Sequence, residues 1–382
     1  MGCTMAPHPI KLSSPQRTAV ARMRLAAQGL LPRIPVATMA AGASSPAGVV
    51  SAMGMVQAQD LPQGCWAVGV RLPGSGLSDI HAALADGSVI RCWGARGTLM
   101  LIAPALHAVL LSVTGPRMDA AMAATRAAEG ITEAEIARLA DVALERCSGA
   151  GATRAQLLAA FEQAGSSIAG QRGYHLIVAV SLRGVIVQGP MEPGSNTRQL
   201  FMATDQWIGR REPSPDPEEA LRLLAGNYIR SHGPATAADC AWWLGMPLVP
   251  VRGALAAQQR QLPGRSLGGE VFHFAEEHSN RWASLHGARG MLALPGFDEF
   301  LLGYKDRSAA LAPEHAQAVT PGKNGIFLRT LVSSGHVVGT WAVEGSGGTL
   351  RARSTVFEPA HSARNEAAIR RAMQAYMDFR AS

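Results

Sequence analysis

Apolar and polar residues alternate along the first third of the chain, first with the period of helices and then with that of strands. Serine–proline pairs, which are typical helix starts, precede the first two predicted helices. The predicted elements are helices over residues 14–30, 46–56 and 77–84 and strands over residues 89–93 and 98–102. Asp60-Leu61-Pro62 is predicted to end the second helix, because the residue before a proline disfavours helical backbone. Three helices followed by a hairpin is the order of a winged helix.

The same order of elements occurs twice more, although no literal sequence repeat accompanies it. Predicted helices lie over 131–147, 154–164 and 174–182 with strands over 185–188 and 199–202, and then helices over 218–231, 237–244 and 251–261 with a strand over 270–275. A proline-rich joint at 212–217 separates the second set from the third.

The last ninety residues are different. Short β-type segments lie over 291–294, 326–332, 337–344 and 349–357, and a helix over 365–379 follows them. The predicted class is α+β: three tandem winged-helix domains at 1–115, 116–215 and 216–290, then a C-terminal antiparallel β-domain at 291–382.

Composition narrows the function classes. The 382 residues are 47% hydrophobic, enough to bury a core, which excludes a disordered chain. The net charge is +7, and the first 120 residues hold nine basic against four acidic groups. This excess is compatible with an anionic partner docking there, and on charge alone a basic surface without a partner is an equal alternative. An odd count of five cysteines without a C-x-x-C pair, and no apolar stretch of bilayer length, predict a reduced cytoplasmic protein outside membranes. No histidine or cysteine spacing fits a zinc site.

Gln57-Ala58-Gln59 is the most informative short segment. Residues two apart point to nearly opposite sides of a helix, whereas extended backbone at a helix end lets both amides face one site. The alternative is a polar helix terminus whose glutamines only cap and solvate. Spacing alone favours that alternative.

Several longer segments carry a resemblance to a known family. They are MVQAQD at Met55–Asp60 with Trp66–Arg71, RCWGARGTL at Arg91–Leu99, SHGPAT at Ser231–Thr236 with Trp242-Trp243, and LPGFDEFLLGYKDR at Leu294–Arg307. We call these four groups of segments the landmarks. In this order they resemble the bacterial winged-helix DNA-binding-domain family that includes the AlkZ-type DNA glycosylases.

The resemblance implies an activity, a partner and catalytic residues. Members cleave N-glycosidic bonds of alkylated purines, and some unhook interstrand crosslinks, in base excision repair or genotoxin resistance. Alkylated or crosslinked double-stranded DNA is therefore the expected partner of a monomeric, nucleoid-associated enzyme without cofactor or metal. Gln57 and Gln59 match the glutamine–apolar–glutamine subtype as its catalytic residues. Met100 departs from the pattern, since many relatives carry histidine there.

Polar and basic residues within the landmarks are the predicted DNA contacts. They are Arg91, Arg96 and Thr98 on the first wing or its flanks, and Lys305 and Arg307 in the C-terminal landmark. Ordinary exposed wing charge is an equal alternative for Arg91. Lys305 could in principle act as a Schiff-base nucleophile, but phosphate binding is preferred, so a monofunctional enzyme is expected.

A non-catalytic winged-helix DNA-binding protein, such as a regulator, is the rival hypothesis. Such a protein places a basic recognition helix in the major groove. The predicted third helices of the first two winged helices, 77–84 and 174–182, contain no arginine or lysine. This disfavours base readout and favours the glycosylase.

Overall fold

The computed structural model describes residues 10–31, 44–209, 215–283, 290–322, 325–345 and 350–382, without the side chains of 280–283 and 359–364. Contacts divide the chain into two units. The first unit comprises Met1–Ser44, Trp66–Leu77 and Ala225–Ser382, and the second comprises Ser45–Cys65 and Ser78–Leu224.

The second unit holds most of the predicted first and second winged helices. Its elements are α2 (Pro46–Met53), β1 (Val56–Gln57), α3 (Leu61–Gly69, which continues into the first unit), α4 (Leu77–Ala85), β2 (Ile90–Trp93), β3 (Leu99–Ile102), α5 (His107–Ala128), α6 (Glu133–Cys147), α7 (Arg154–Gln163), α8 (Arg172–Leu182), β4 (Ile186–Met191), β5 (Gln199–Ala203) and α9 (Thr204–Trp207). The strands form one antiparallel sheet in the order β1-β3-β2-β4-β5. Both predicted hairpins therefore share a sheet, joined where Arg91 pairs with Gln188.

The backbone before α3 differs from the prediction. Helix α2 ends at Met53, because Gly54 adopts φ 76°, a conformation that favours glycine. Residues up to 56 were predicted to be helical, yet Val56 lies in a strand. Pro62 begins a helix here instead of ending one, and Asp60 Oδ1 accepts a hydrogen bond from the Gln63 N–H at 3.3 Å. The predicted helix 46–56 was therefore too long, and α3 was missed.

Helix α5 was also missed, although it spans 22 residues. It contains Gly115 and Pro116, both of which are poor residues for a helix interior. The tertiary contacts of its buried residues stabilise it nonetheless, and Thr114 Oγ1 donates to the Gly94 carbonyl at 3.0 Å. Local propensity was the wrong guide here because packing decides this helix.

The first unit contains the remaining elements. They are α1 (Ser14–Ala27), α10 (Pro217–His232, whose first half lies in the second unit), β6 (Ala235–Thr236), α11 (Ala237–Leu244), α12 (Leu248–Ala256), β7 (Gly264–Leu267), β8 (Glu270–His273), β9 (Met291–Leu294), α13 (Glu299–Leu302), α14 (Ala316–Val319), β10 (Thr330–Ser333), β11 (His336–Glu344), β12 (Arg351–Val356) and α15 (Pro359–Ala381). The strands form a three-stranded sheet, β6-β8-β7, and a four-stranded antiparallel sheet, β12-β11-β10-β9.

The α+β class and the C-terminal antiparallel sheet with its closing helix are confirmed. The count of three winged helices and the boundaries of the four domains remain predictions. Within the described ranges, no helix is long and apolar enough to cross a membrane.

Candidate active site

The Gln57-Ala58-Gln59 motif lies at the edge of the five-stranded sheet, where β1 ends. Val56 and Gln57 pair with Leu101 and Met100 of β3, and the Ala58 N–H donates to the Leu99 carbonyl at 2.9 Å. The chain then bends at Gln59. The motif is therefore the end of a strand and not a helix terminus.

The two glutamines differ in burial and in how they are held. Gln57 is buried, with 7% of its surface exposed, whereas Gln59 is exposed. The Gln59 side-chain oxygen accepts the Leu99 N–H at 3.0 Å, so this side chain extends the strand ladder where the backbone leaves it. The motif thus offers one amide at the protein interior and one at the surface.

Arg91 lies beside the motif, buried in the same sheet. Its Nε donates to the Ala58 carbonyl at 2.8 Å, and its Nη2 donates to the Gln59 carbonyl at 3.0 Å. Nη1 donates to the side-chain oxygens of Gln188 at 2.8 Å and Gln199 at 3.2 Å. The guanidinium therefore connects the motif to the second hairpin. The DNA contact of Arg91 stays a prediction, and its burial supports a different role.

At neutral pH the guanidinium at the site is charged and the nearby thiols are neutral. Burial lowers the pKa of Arg91 to about 10, while nearby Cys65 and Asp60 favour its charged form. Arg91 is thus still protonated at neutral pH. Burial raises the pKa of Cys65 to about 12 and of Cys92 likewise, so neither is a thiolate nucleophile at neutral pH.

Met100 occupies the position opposite Gln57 in the register of β1 and β3. It is fully buried, and directly opposed residues of an antiparallel pair lie on one face. The residue that replaces the histidine of many relatives therefore lies next to the catalytic candidate, where it supplies a thioether and no titratable group.

Arg96 and Thr98 lie in the turn between β2 and β3. The Gly94 N–H donates to the Thr98 carbonyl at 3.0 Å, which closes the turn. Arg96 has φ 58°, a left-handed backbone conformation that is uncommon outside glycine, and Gly97 follows at φ 71°. Both side chains are half-buried, and the Thr98 hydroxyl donates to the Ala95 carbonyl at 3.1 Å. Thr98 thus stabilises the turn that presents Arg96.

Lys305 and Arg307 have different surroundings in the first unit. Lys305 is exposed, and its backbone N–H donates to Asp239 Oδ1 at 3.0 Å. Arg307 is half-buried: its Nε donates to the Leu301 carbonyl at 2.9 Å, and its guanidinium lies 4.9 Å from the centre of the Phe327 ring. Lys305 is thus exposed to solvent, whereas part of Arg307 stabilises the fold.

Much of the C-terminal landmark lies inside a buried polar cluster of the first unit. Its members are Arg24, Gln28, Arg71, His232, Asp239, Asp298, Glu299 and Tyr304. Arg71 forms two hydrogen bonds with Asp298, at 2.8 and 2.9 Å, and the Tyr304 hydroxyl donates to the His232 carbonyl at 2.7 Å. Through these contacts, the Ser231–Thr236 and Leu294–Arg307 landmarks stabilise the fold of the first unit.

The two adjacent tryptophans of the third landmark behave differently from each other. Trp243 is fully buried and donates to Glu299 Oε2 at 2.9 Å. Trp242 is 39% exposed.

Gln188 and Gln199 are site residues that sequence reasoning missed. Both are buried, and Gln199 Nε2 also donates to the Gly189 carbonyl at 2.6 Å. They lie in the predicted second hairpin, but only the shared sheet brings that hairpin to the motif. The available signal was two glutamines inside predicted strands that are otherwise apolar, since a buried amide needs a polar partner.

Comparisons with known proteins agree with one another. The model of a family described as "DNA glycosylase AlkZ-like" matches residues 50–379. An interstrand DNA cross-link repair glycosylase of Streptomyces sahachiroi is 25% identical over 309 residues, 78% of this chain and 82% of the relative. The solved structure of the Streptomyces sahachiroi DNA glycosylase AlkZ superimposes with a TM-score of 0.76 at 23% identity, covering 95% of this chain and 97% of that chain. The last comparison bears on the fold alone.

Proposed function

Because the chain belongs to the AlkZ-like family of DNA glycosylases, we propose that it hydrolyses the N-glycosidic bond of N7- and N3-alkylated purines in duplex DNA. The family resemblance predicted from the landmarks is thereby confirmed. Unhooking of interstrand crosslinks is part of the proposal, since the Streptomyces sahachiroi relative is named for crosslink repair.

The observation that carries the proposal is the Gln57-Ala58-Gln59 segment at the end of β1, which places two side-chain amides within three residues and fixes the second through its bond to Leu99 of β3. Alkylation at N7 or N3 leaves the purine cationic, so it departs without a strong general acid. The remaining task is to hold a water against C1′ as an oxocarbenium-like transition state develops. Two side-chain amides, each with an acceptor and a donor group, suit that task.

Amides also limit the range of substrates. Neither Gln57 nor Gln59 can take a proton from water at neutral pH, so only bonds already activated by a cationic base are within reach. Asp60 is adjacent, but its Oδ1 accepts the Gln63 N–H and caps α3. We therefore assign the attacking water to the two glutamines and a capping role to Asp60.

Arg96, Thr98, Lys305 and Arg307 remain the proposed DNA contacts, in a monofunctional enzyme. The exposed ammonium of Lys305 and the turn position of Arg96 favour contact with phosphates. Helix α4, the third helix of the first predicted winged helix, carries no arginine or lysine over Leu77–Ala85, which disfavours a regulator that reads bases with this helix.

The test is a strand-cleavage assay on a duplex with one N7-methylguanine. Excision leaves an abasic site, which hot alkali converts to a strand break seen by denaturing electrophoresis. The undamaged duplex is the control for non-specific nicking, and a crosslinked duplex tests unhooking. A chain that binds these duplexes and leaves every one intact is a non-catalytic DNA-binding protein.

A further inference from the structure

We propose that Arg91 is a positioning residue for glycosidic cleavage, holding the backbone from which Gln57 and Gln59 project. This inference rests on the proposed catalytic role of the two glutamines. It replaces the DNA-phosphate contact expected of a wing arginine with an action through the Ala58 and Gln59 carbonyls.

The hydrogen bonds of Arg91 lie where the motif leaves the sheet. The Ala58 N–H still pairs with Leu99, but the Ala58 carbonyl accepts from Arg91 Nε instead of continuing the ladder. The next carbonyl, of Gln59, accepts from Nη2, and the Leu99 N–H that the ladder would otherwise use goes to Gln59 Oε1. Two adjacent carbonyls held by one rigid fork fix the peptide between them, and with it the direction of the Gln59 side chain.

The other side of the guanidinium is held equally well. Gln188 and Gln199, only 6% and 5% exposed, both accept from Nη1 through their side-chain oxygens. Gln199 is held in turn through its bond to the Gly189 carbonyl. The fork therefore has no freedom to turn toward a ligand, and the motif is braced by the second hairpin.

The choice of acceptors distinguishes Arg91 from an arginine that only stabilises the fold. Arg126, also in the second unit and also 7% exposed, binds both carboxylate oxygens of Asp119, at 2.8 and 3.0 Å. Arg91 instead directs these four hydrogen bonds to neutral oxygens, two of which belong to the motif. Among the residues that the structure describes, no carboxylate forms an ion pair with Arg91, and among carboxylates only the charge of nearby Asp60 favours its protonated form. Burying a cation without a directly paired carboxylate is costly, which favours a role for which its geometry is required.

The first test compares Arg91→Lys with Arg126→Lys as a matched control. Lysine keeps the charge but loses the planar fork, so it cannot hold both carbonyls and both glutamines. Arg91→Lys should slow single-turnover excision of N7-methylguanine by about 10²-fold, the scale of misplaced reacting groups. Its affinity for the lesion duplex should stay close to that of wild type, since positioning of water matters mainly in the transition state. Arg126→Lys should lower the melting temperature and keep the wild-type rate.

Hydrogen exchange supplies a readout that does not depend on catalysis. In Arg91→Lys the amides of Ala58 and Leu99 should exchange faster than in wild type, and in Arg126→Lys they should not. Unchanged exchange at these amides, or wild-type excision by Arg91→Lys, overturns the positioning role. If the wild type excises nothing while Arg91→Lys still loosens these amides, the proposed function fails and Arg91 still holds the motif.

Discussion

The side-chain oxygen of Gln59 accepts a hydrogen bond from the backbone N–H of Leu99 at 3.0 Å. A backbone N–H can only donate, so the amide is oriented with its oxygen toward β3 and its NH2 group away from that bond. The oxygen keeps a second lone pair for water. This contact suggests a discriminating substitution, because a carboxylate could also accept the Leu99 N–H.

Gln59→Asp should retain excision activity, since it installs a general base and imitates the glutamine–apolar–aspartate subtype. A base acts only when ionised, so the rate of the variant should fall as pH drops toward the usual aspartate pKa of about 4. Single-turnover rates across a pH series measure this, with Gln59→Ala as the slow reference. A Gln59→Asp variant as slow as Gln59→Ala at every pH would show that position 59 does not face the attacking water.

The phosphate-contact role of Arg96 can be tested without disturbing its turn. Asparagine tolerates the left-handed backbone of this position, so Arg96→Asn removes the charge with little strain. Duplex affinity should fall equally for all sequences, and the slope of log Kd against log salt should become shallower by about one phosphate contact. Arg154→Gln, at an exposed position on α7, is the control. If the slope of log Kd against log salt is unchanged in Arg96→Asn, Arg96 does not contact a phosphate. If the affinity of the wild type does not depend on salt, binding to DNA is not electrostatic.

The Arg71–Asp298 pair should be essential to the stability of the first unit. Both side chains are almost fully buried, and Asp298→Asn would leave the guanidinium without its counter-ion. Breaking such a pair costs about 3–5 kcal/mol of the free energy of unfolding, which urea titration measures. Glu366→Gln breaks the exposed Arg370 pair on α15 and should change the same quantity by less than about 1 kcal/mol. Equal effects of the two substitutions would contradict the assignment.

Stability should decline in mild acid. Burial lowers the pKa of His232 below its ordinary 6.5, and burial also lowers the pKa values of His81, His273 and His336. Below about pH 6.5 the unfolded chain therefore binds protons that the folded chain does not. As a result, the free energy of unfolding decreases as the pH is lowered through that window. Thermal melts across the window measure it, and His232→Gln should flatten the decline. Melting temperatures that rise on acidification would refute this.

Local signals in the sequence located most elements, because their causes are local. The two serine–proline signals mark the starts of α1 and α2, although Ser13 and not Ser14 caps α1. The hairpin of β2 and β3 was predicted within one residue at each strand's start. Helix α5 was not predicted, because tertiary packing stabilises it despite the low helix propensity of Gly115 and Pro116. The spacing of residues along the sequence indicates which kind of element they form, but not which distant residues they will contact.

The candidate site shows the same limit more sharply. Gln57 and Gln59 were found through the family resemblance, whereas Gln188 and Gln199 join them only because the sheet brings together strands about a hundred residues apart. Arg91 was assigned to the surface because a wing usually exposes its charges. Its burial follows from four acceptors that are supplied by three separate segments of the chain.

The central claim, that Gln57 and Gln59 hold the attacking water, is tested most directly by single-turnover excision of N7-methylguanine by wild type, Gln57→Ala and Gln59→Ala. Gln206→Ala is the matched control, since Gln206 is exposed and accepts a backbone N–H, from Gly149 at 3.2 Å, as Gln59 does from Leu99. Each alanine variant in the motif should be slower by about 10²-fold, the scale of removing one preorganised polar group, with lesion affinity retained and Gln206→Ala unaffected. Wild-type rates from both motif variants would contradict the account.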